Sequence, residues 1–450
     1  MPHSHSAKHA AGLDGQNRLL LLVHAMFAVA NFLSGTFVNV YVWKAKQDYA
    51  LIGWFAFSHQ LTMAITFFLA GKWVKEHNKM LSLRLGIALA AVFYILVLWF
   101  GEQAPKYILL LGAVQGMSSA FFWLAFNVVY FEVTNRSNRD AFNGWAGLLG
   151  SAAGMIAPWV SGFLITRMEG GAGYRLIFTL SLAVFIAGTI VSFFLRRRPS
   201  QPHYEWLYGL RQLFVHGNPW RRVFPALMAQ GAREGVFIFL IGLMVYIATK
   251  SELLLGNYSL ITSSIALLAF YLAGKWLTPR RRSAAMLIGT LSMTAVILPF
   301  FWNVSYTTLL IFGIATAIFF PLYSVPITSS VFDMIGVNDE SASHRVEYVV
   351  LRETALNAGR MLGTLIFIGV VSFTSHPSAM AALMLGLGGT PVLSWWLLKP
   401  ILNRTQEHGG EARRHSGVIV YGPHREGGYW TDAGRAFSGI MSRRGKKRAR

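Results

Sequence analysis

The sequence has no cysteine among its 450 residues, and charge is scarce: 13% of positions are Asp, Glu, Lys or Arg, and only 19 are acidic. Without thiols there is no disulfide framework, no thiolate metal site and no cysteine nucleophile. A soluble domain carries about 25% charged residues, so roughly half of the charge needed to cover a water-facing surface is missing. No GxxxxGK[ST] phosphate loop occurs, which argues against an ATP-driven pump. There is no metal-ligand spacing either, and the His3, His5 and His9 cluster reads as a solvated tail. Nothing reads as an enzyme, and no cofactor or metal is expected. What is abundant is apolar: 54% of residues are hydrophobic and the mean hydropathy is +0.45. The composition excludes a soluble enzyme, a disordered protein and a disulfide-stapled secreted domain. It is that of a chain dissolved in lipid.

A helical span needs about 20 mostly apolar residues to cross roughly 30 Å of hydrocarbon. Twelve runs qualify: 19–43, 50–71, 83–101, 106–131, 142–166, 174–195, 222–248, 253–275, 284–302, 305–332, 352–374 and 378–398. Because an open sheet cannot satisfy its backbone in lipid, the expectation is an all-α integral membrane protein. The net charge of +21 is placed by topology. With the N-terminus inside, 31 of the 40 Lys and Arg fall on the cytoplasmic side and 6 on the other, which predicts a multi-pass protein of the plasma (inner) membrane with both termini cytoplasmic. That distribution reports orientation first, so nucleic acid is disfavoured as a partner. The C-terminal residues ending RRGKKRAR form a basic tail, expected to be disordered and attracted to anionic lipid head groups.

The chain repeats itself. LAGKW at 69–73 returns at 272–276, and Gly71 and Gly274 keep the same 203-residue separation as Gly86 and Gly289. A weaker echo relates Arg139-Asp140 and Gly150 to Arg352-Glu353 and Gly363. The organisation read from this is a tail at 1–16, a six-helix bundle at 17–196, a cytoplasmic linker at 197–221, a second six-helix bundle at 222–400 and a tail at 401–450. Two halves of the same orientation imply a substrate site between them near the midplane. In the linker, Tyr204, Leu207, Leu210 and Phe214 have the spacing of an amphipathic helix lying on the membrane surface.

These features resemble the major facilitator superfamily over about residues 17–400. That family's signature after the second span is a glycine, an acidic residue four positions on, then basic residues. Gly71 and Lys72 are followed by Lys75 at the acidic position, with Lys79 as a basic member; in the second copy Gly274 and Lys275 are followed by Thr278, then Arg280 to Arg282. The basic residue at the acidic position departs from the family's usual lock between loop and helix ends. The fifth span resembles the family's antiporter motif, with Gly144, Ala153, Ala157, Pro158, Ser161 and Gly162 at its small and proline positions. The resemblance implies a twelve-helix fold in two pseudo-symmetric bundles and transport by alternating access, with the antiporter-like span favouring export.

Charges inside a membrane are costly and mark cavities or partners. Arg233 and Glu234 lie mid-span, about 100° apart around their helix, and Arg360, two turns into the eleventh span, is the candidate partner for Glu234. Glu234 is a candidate proton-coupling residue, and Arg233 a candidate anchor for an anionic substrate group. The first half offers neutral groups: Asn31, His59, Gln60, Gln115 and Asn127. Tyr323, between Pro321 and Pro326, marks a stretch expected to interrupt its helix. The expectation is a proton-coupled secondary transporter of a small amphiphilic or anionic organic solute. Uptake of a sugar or organic acid, a lipid flippase and a non-transporting receptor are the alternatives.

Overall fold

The computed structural model describes residues 13–133, 139–169, 171–196, 203–335, 343–374 and 376–414. Twelve long helices and one short one account for nearly all of them: α1 (Gly15–Lys46), α2 (Tyr49–Glu76), α3 (Lys79–Phe100), α4 (Ile108–Val133), α5 (Arg139–Arg167), α6 (Ala172–Ser192), α7 (Tyr208–Gln212), α8 (Trp220–Thr249), α9 (Glu252–Trp276), α10 (Arg282–Ala295), α11 (Tyr306–Ile335), α12 (Arg345–Phe373) and α13 (Pro377–Arg414). Eleven stretches are long and apolar enough to cross a membrane, one of them the 52-residue Lys79–Tyr130 that holds both α3 and α4. A 3₁₀ turn at Gly101–Tyr107 divides that stretch into two helices.

Local chemistry sets the boundaries. Asp48 caps α2 by accepting from the Ala50 N–H, and Ser251 caps α9 by accepting from the Leu254 N–H, which satisfies donors the helix leaves orphaned. The preceding helices end in the same way, with Gln47 (φ 51°) and Lys250 (φ 52°) in the left-handed region and their N–H groups on Trp43 and Tyr246. Each of these matched residues is 203 positions from its counterpart, so the repeat extends to the two far turns. It extends into packing as well. A Cβ on Gly86 would collide with the Phe122 backbone of α4, and one on Gly289 would meet the Tyr323 nitrogen of α11 at 3.0 Å. In both halves a glycine lets a helix pair close.

Within the first six helices α2 packs on α4, α3 on α4 and α6, and α1 on α5 and α6; within the last six long helices α8 packs on α12 and α13, α10 on α11 and α13, and α9 on α11. Between the groups, α5 lies along α9 and α2 along α12, with α8 touching α1 and α2. The small residues of α5 serve the first seam: a Cβ on Gly162 would strike the Glu252 carbonyl, and one on Gly256 would lie 2.9 Å from the Pro158 carbonyl. Gly144, one of the motif's small positions, is buried.

Three expectations change. The linker is no single amphipathic helix: among its described residues before α8, 203–219, only 208–212 are helical, Tyr204 is buried and Phe214 is 86% exposed. Tyr204 instead caps the end of α2, its hydroxyl filling the space a Cβ on Gly71 would need (2.7 Å). Pro321 and Pro326 do not interrupt α11, which runs through both, since a membrane helix re-satisfies freed carbonyls locally. Finally, α13 continues to Arg414, past the point where the tail was expected to begin, because propagation adds one hydrogen bond per residue once a helix exists. Residues 1–12 and 415–450 lie outside the described residues, as do the side chains of Arg139 and Asp140.

Candidate functional site

At the centre, α8 and α12 approach closely because each carries glycines four apart. Gly231 and Gly235 of α8 face Leu356 and Arg360 of α12, and Gly359 and Gly363 of α12 face Met228 and Ala232 of α8, with each missing Cβ replaced by the other helix's backbone. This crossing sets Arg360 beside Glu234. The Arg360 Nη2 donates to Glu234 Oε2 at 3.1 Å, Gln230 Nε2 donates to Glu234 Oε1 at 2.8 Å, and Arg360 Nη1 donates to Asn357 Oδ1 at 3.2 Å. The side chains of Glu234 and Arg360 are 25% and 23% exposed, so the pair is reachable rather than sealed.

One residue along, the Gly235 carbonyl accepts from Gln60 Nε2 of α2 at 3.1 Å, while Thr364 of α12 donates to Gln60 Oε1 at 3.0 Å. Gln60 therefore fastens the first helix group to the second at the level of the ion pair. Arg233 points elsewhere. It is buried, its guanidinium stacks over Phe237 at 4.6 Å, and its Nε has no hydrogen-bond partner. Among the described residues no carboxylate reaches it within ion-pairing distance, which leaves a costly buried charge. Tyr323 and Glu234 are within electrostatic reach.

Of the remaining candidates, His59 lies within electrostatic reach of Arg360, and Tyr323 of Arg233 and Glu234. His59 meets Ser119 of α4 at 3.3 Å, Asn31 donates to the Phe27 carbonyl of its own helix at 2.8 Å, and Tyr323 donates to Ser394 at 3.4 Å. Gln115 and Asn127 are half-buried on α4.

Both ends of the seam are tied. On the face where α1 begins, Lys75 Nζ donates to Glu347 Oε1 at 2.7 Å and to the Ser343 carbonyl, with both charged side chains buried. The Glu205 N–H donates to the same Glu347 oxygen, and the Tyr204 N–H to Glu76. Burial and the nearby Glu347 carboxylate push the Tyr204 phenol above its ordinary pKa. A lock between the α2 end and α12 is thus present with its polarity reversed: the basic residue stands on the loop side and the acid on α12. Beside it, Lys79 pairs with Glu132 between α3 and α4, and Arg282 pairs with Asp333 at 2.7 Å between α10 and α11; Lys79 and Arg282 are again 203 apart. Lys72 is 3.9 Å from Glu76, while Lys275 and Arg280 are exposed. On the opposite face Glu252, buried at the start of α9, accepts from Lys44 Nζ at 3.0 Å and from the Tyr174 hydroxyl at 2.8 Å. Lys44 also lies over the Tyr174 and Tyr246 rings.

Sequence reading missed Glu252 and Glu347, because an acid in the first turn of a helix looks like ordinary dipole compensation. It also missed Gln230, Asn357 and Thr364. The paired Gly-xxx-Gly spacings at 231–235 and 359–363 were the available signal.

Twelve long helices with charged and hydrogen-bonded residues concentrated on the seam between two groups define a multi-pass membrane transporter. Residues 20–339 match the Major Facilitator Superfamily, and the chain belongs to that family of secondary transporters. It is 38% identical over 413 residues to the Bacillus subtilis (strain 168) protein YqgE, covering 90% of this chain and 95% of that one. A protein from the sodM 3' region of Geobacillus stearothermophilus is 41% identical over 160 residues, covering 36% of this chain and 75% of that one. Among solved structures, the nucleoside transporter NupG, in a single-substitution variant, superposes with a TM-score of 0.66 at 16% identity, over 86% of this chain and 100% of its own. A bacterial homologue of the iron transporter ferroportin, in an outward-facing state, superposes with a TM-score of 0.61 at 12% identity, over 86% of this chain and 98% of its own.

Proposed function

We propose that this chain couples proton movement to the export of a small amphiphilic or anionic organic solute across the plasma membrane, with both termini in the cytoplasm. The observation that carries this reading is the Glu234–Arg360 pair, a reachable carboxylate deep in a span and one residue from the Gln60 hydrogen bond that joins the helix groups. Protonating Glu234 removes the charge that holds Arg360, and the released guanidinium then perturbs the seam beside it. Arg233, which no carboxylate among the described residues reaches within ion-pairing distance, supplies the attraction for an anionic group of the solute. Gly71, Lys72, Lys79, Gly144, Pro158, Gly162, Gly274, Lys275 and Arg280 belong to the frame that rocks around this centre. Lys75–Glu347 and Lys44–Glu252 close its two ends.

A second reading follows from the neutral first half. Asn31, His59, Gln115 and Asn127 suit a neutral hydrogen-bonding solute, and NupG, a nucleoside transporter, shares the fold. Reconstituted vesicles with an imposed pH gradient test both readings. With a transported compound in hand, Glu234→Gln abolishes the pH-driven component of flux while exchange persists; unchanged coupling in that variant rejects the proton role. Arg233→Gln abolishes binding of anionic compounds under the first reading. If nucleosides are carried and Arg233→Gln leaves their affinity unchanged, the second reading replaces it. Flux driven inward along the proton gradient makes the protein a symporter.

A further inference from the structure

A cavity separate from the central seam opens where the linker enters α8. Residues 216–219 with Arg221 and Arg222 form one wall and Pro400 and Ile401 of α13 the other, around a volume of about 470 Å³. Among the described residues the wall contains His216, Arg221 and Arg222 and no acidic residue. Both arginines are exposed, and Arg221 Nη1 lies 3.5 Å from His216 Nδ1. The backbone donors at the start of α8 are already used: the Trp220 N–H goes to Asn218 Oδ1, the Arg221 N–H to the Asn218 carbonyl and the Arg222 N–H to the Pro219 carbonyl. The attraction for an anion therefore resides in the side chains, and guanidinium groups match phosphate oxygens in geometry as well as charge.

The surroundings place this cavity at the boundary of the bilayer. Trp396, 64% exposed, precedes Pro400 by about one helical turn, roughly 6 Å along the axis. Lys399 holds its ammonium over the Trp395 ring at 5.3 Å. On the linker side Phe214 and Val215 are 86% and 50% exposed immediately before His216. Exposed aromatic and aliphatic side chains beside a basic cluster are poorly placed in water and well placed at the headgroup level of a membrane. A soluble anion would use the arginines and leave Phe214 and Val215 without an apolar partner.

We propose that this cavity binds the headgroup phosphate of an anionic phospholipid, held by Arg221 and Arg222, with Phe214 and Trp396 against its glycerol and upper acyl region. The bound lipid would bridge the linker to α13 and so attach the second helix group to one leaflet. The site is independent of which solute crosses at the centre.

The test uses the full chain purified in detergent, titrated with dioleoyl phosphatidylglycerol, dioleoyl phosphatidylcholine or inorganic phosphate, and read by thermal midpoint and by retained lipid in native mass spectrometry. Phosphatidylglycerol is expected to raise the midpoint and to remain bound, and phosphatidylcholine to do neither. Replacing both arginines (Arg221→Gln with Arg222→Gln) should weaken the apparent affinity about 30-fold, since each basic residue near an anionic surface contributes about 1 kcal/mol and about 1.4 kcal/mol makes a tenfold change. Arg280→Gln with Arg281→Gln removes the same charge from exposed positions of the same face and should change the affinity less than threefold. If the first double variant does not purify, Arg222→Gln alone carries the test with about a fivefold loss. Equal weakening by the two double variants would show diffuse attraction and overturn the site. An equal shift from inorganic phosphate would overturn the lipid assignment in favour of a free anion, and no shift from phosphatidylglycerol would overturn the proposal outright.

Discussion

The two helix groups share a frame and differ in their interior. Each closes its α3–α4 or α10–α11 pair with a basic residue at the same repeat position, Lys79 on Glu132 and Arg282 on Asp333, and each packs that pair across a glycine, Gly86 or Gly289. Each turns on the opposite face through a left-handed residue followed by a side-chain cap, Gln47-Asp48 or Lys250-Ser251. Inside, the likeness ends. The first group presents amides and a histidine, whereas the second carries Arg233, Glu234 and Arg360. Positions that fix backbone crossings are held in both copies, because a crossing tolerates only one volume. Interior polar positions are free to diverge, because they face the seam and only one charge system is needed there.

The largest effect is expected where the halves are tied together. Lys75 and Glu347 are both buried, and removing one partner of a buried pair costs about 3–5 kcal/mol. Glu347→Ala should therefore lower the thermal midpoint strongly, and Lys75→Met with Glu347→Leu should recover most of the loss; a single variant that melts like the wild type would show that the pair holds nothing. The repeated ion pairs sharpen the contrast between halves. Lys79 is buried, so Lys79→Ala should approach the same cost, while Asp333 is 38% exposed and Arg282→Ala should cost at most about 1 kcal/mol. Equal losses would break the asymmetry.

The repeated glycines make a smaller test. At Gly86 an added methyl meets backbone, and overpacking costs about 1–3 kcal/mol. At Gly289 the contacts are 3.0–3.1 Å, and about 1 kcal/mol of gained helix propensity offsets them, so Gly289→Ala should lie near zero. Denaturation of the two variants under identical detergent conditions compares them directly. The smallest stability change is expected for Glu234→Gln, whose single carbonyl oxygen can accept from Gln230 while the charge that holds Arg360 is lost; because the pair is about a quarter exposed, the midpoint should stay within about 1 kcal/mol while pH-dependent flux is removed.

Much of this protein is legible in its sequence. Long apolar runs bounded by caps dictate twelve helices, since lipid leaves the backbone no other way to satisfy itself. The 203-residue recurrence of LAGKW announces the repeat, and the family resemblance follows from it. Mid-span charges are conspicuous because they are expensive, which is why Arg233, Glu234 and Arg360 stand out unaided. Partnership is another matter. That Glu234 and Arg360 meet while Arg233 stacks on Phe237 depends on how two Gly-xxx-Gly faces rotate against each other. That Lys75 finds an acid on α12 depends on a contact 272 positions away in the chain. Local sequence fixes which backbone groups are satisfied and which residues are too polar for lipid. Only the packed helices decide which charge lies against which, because that choice belongs to distances between segments that the chain itself does not connect.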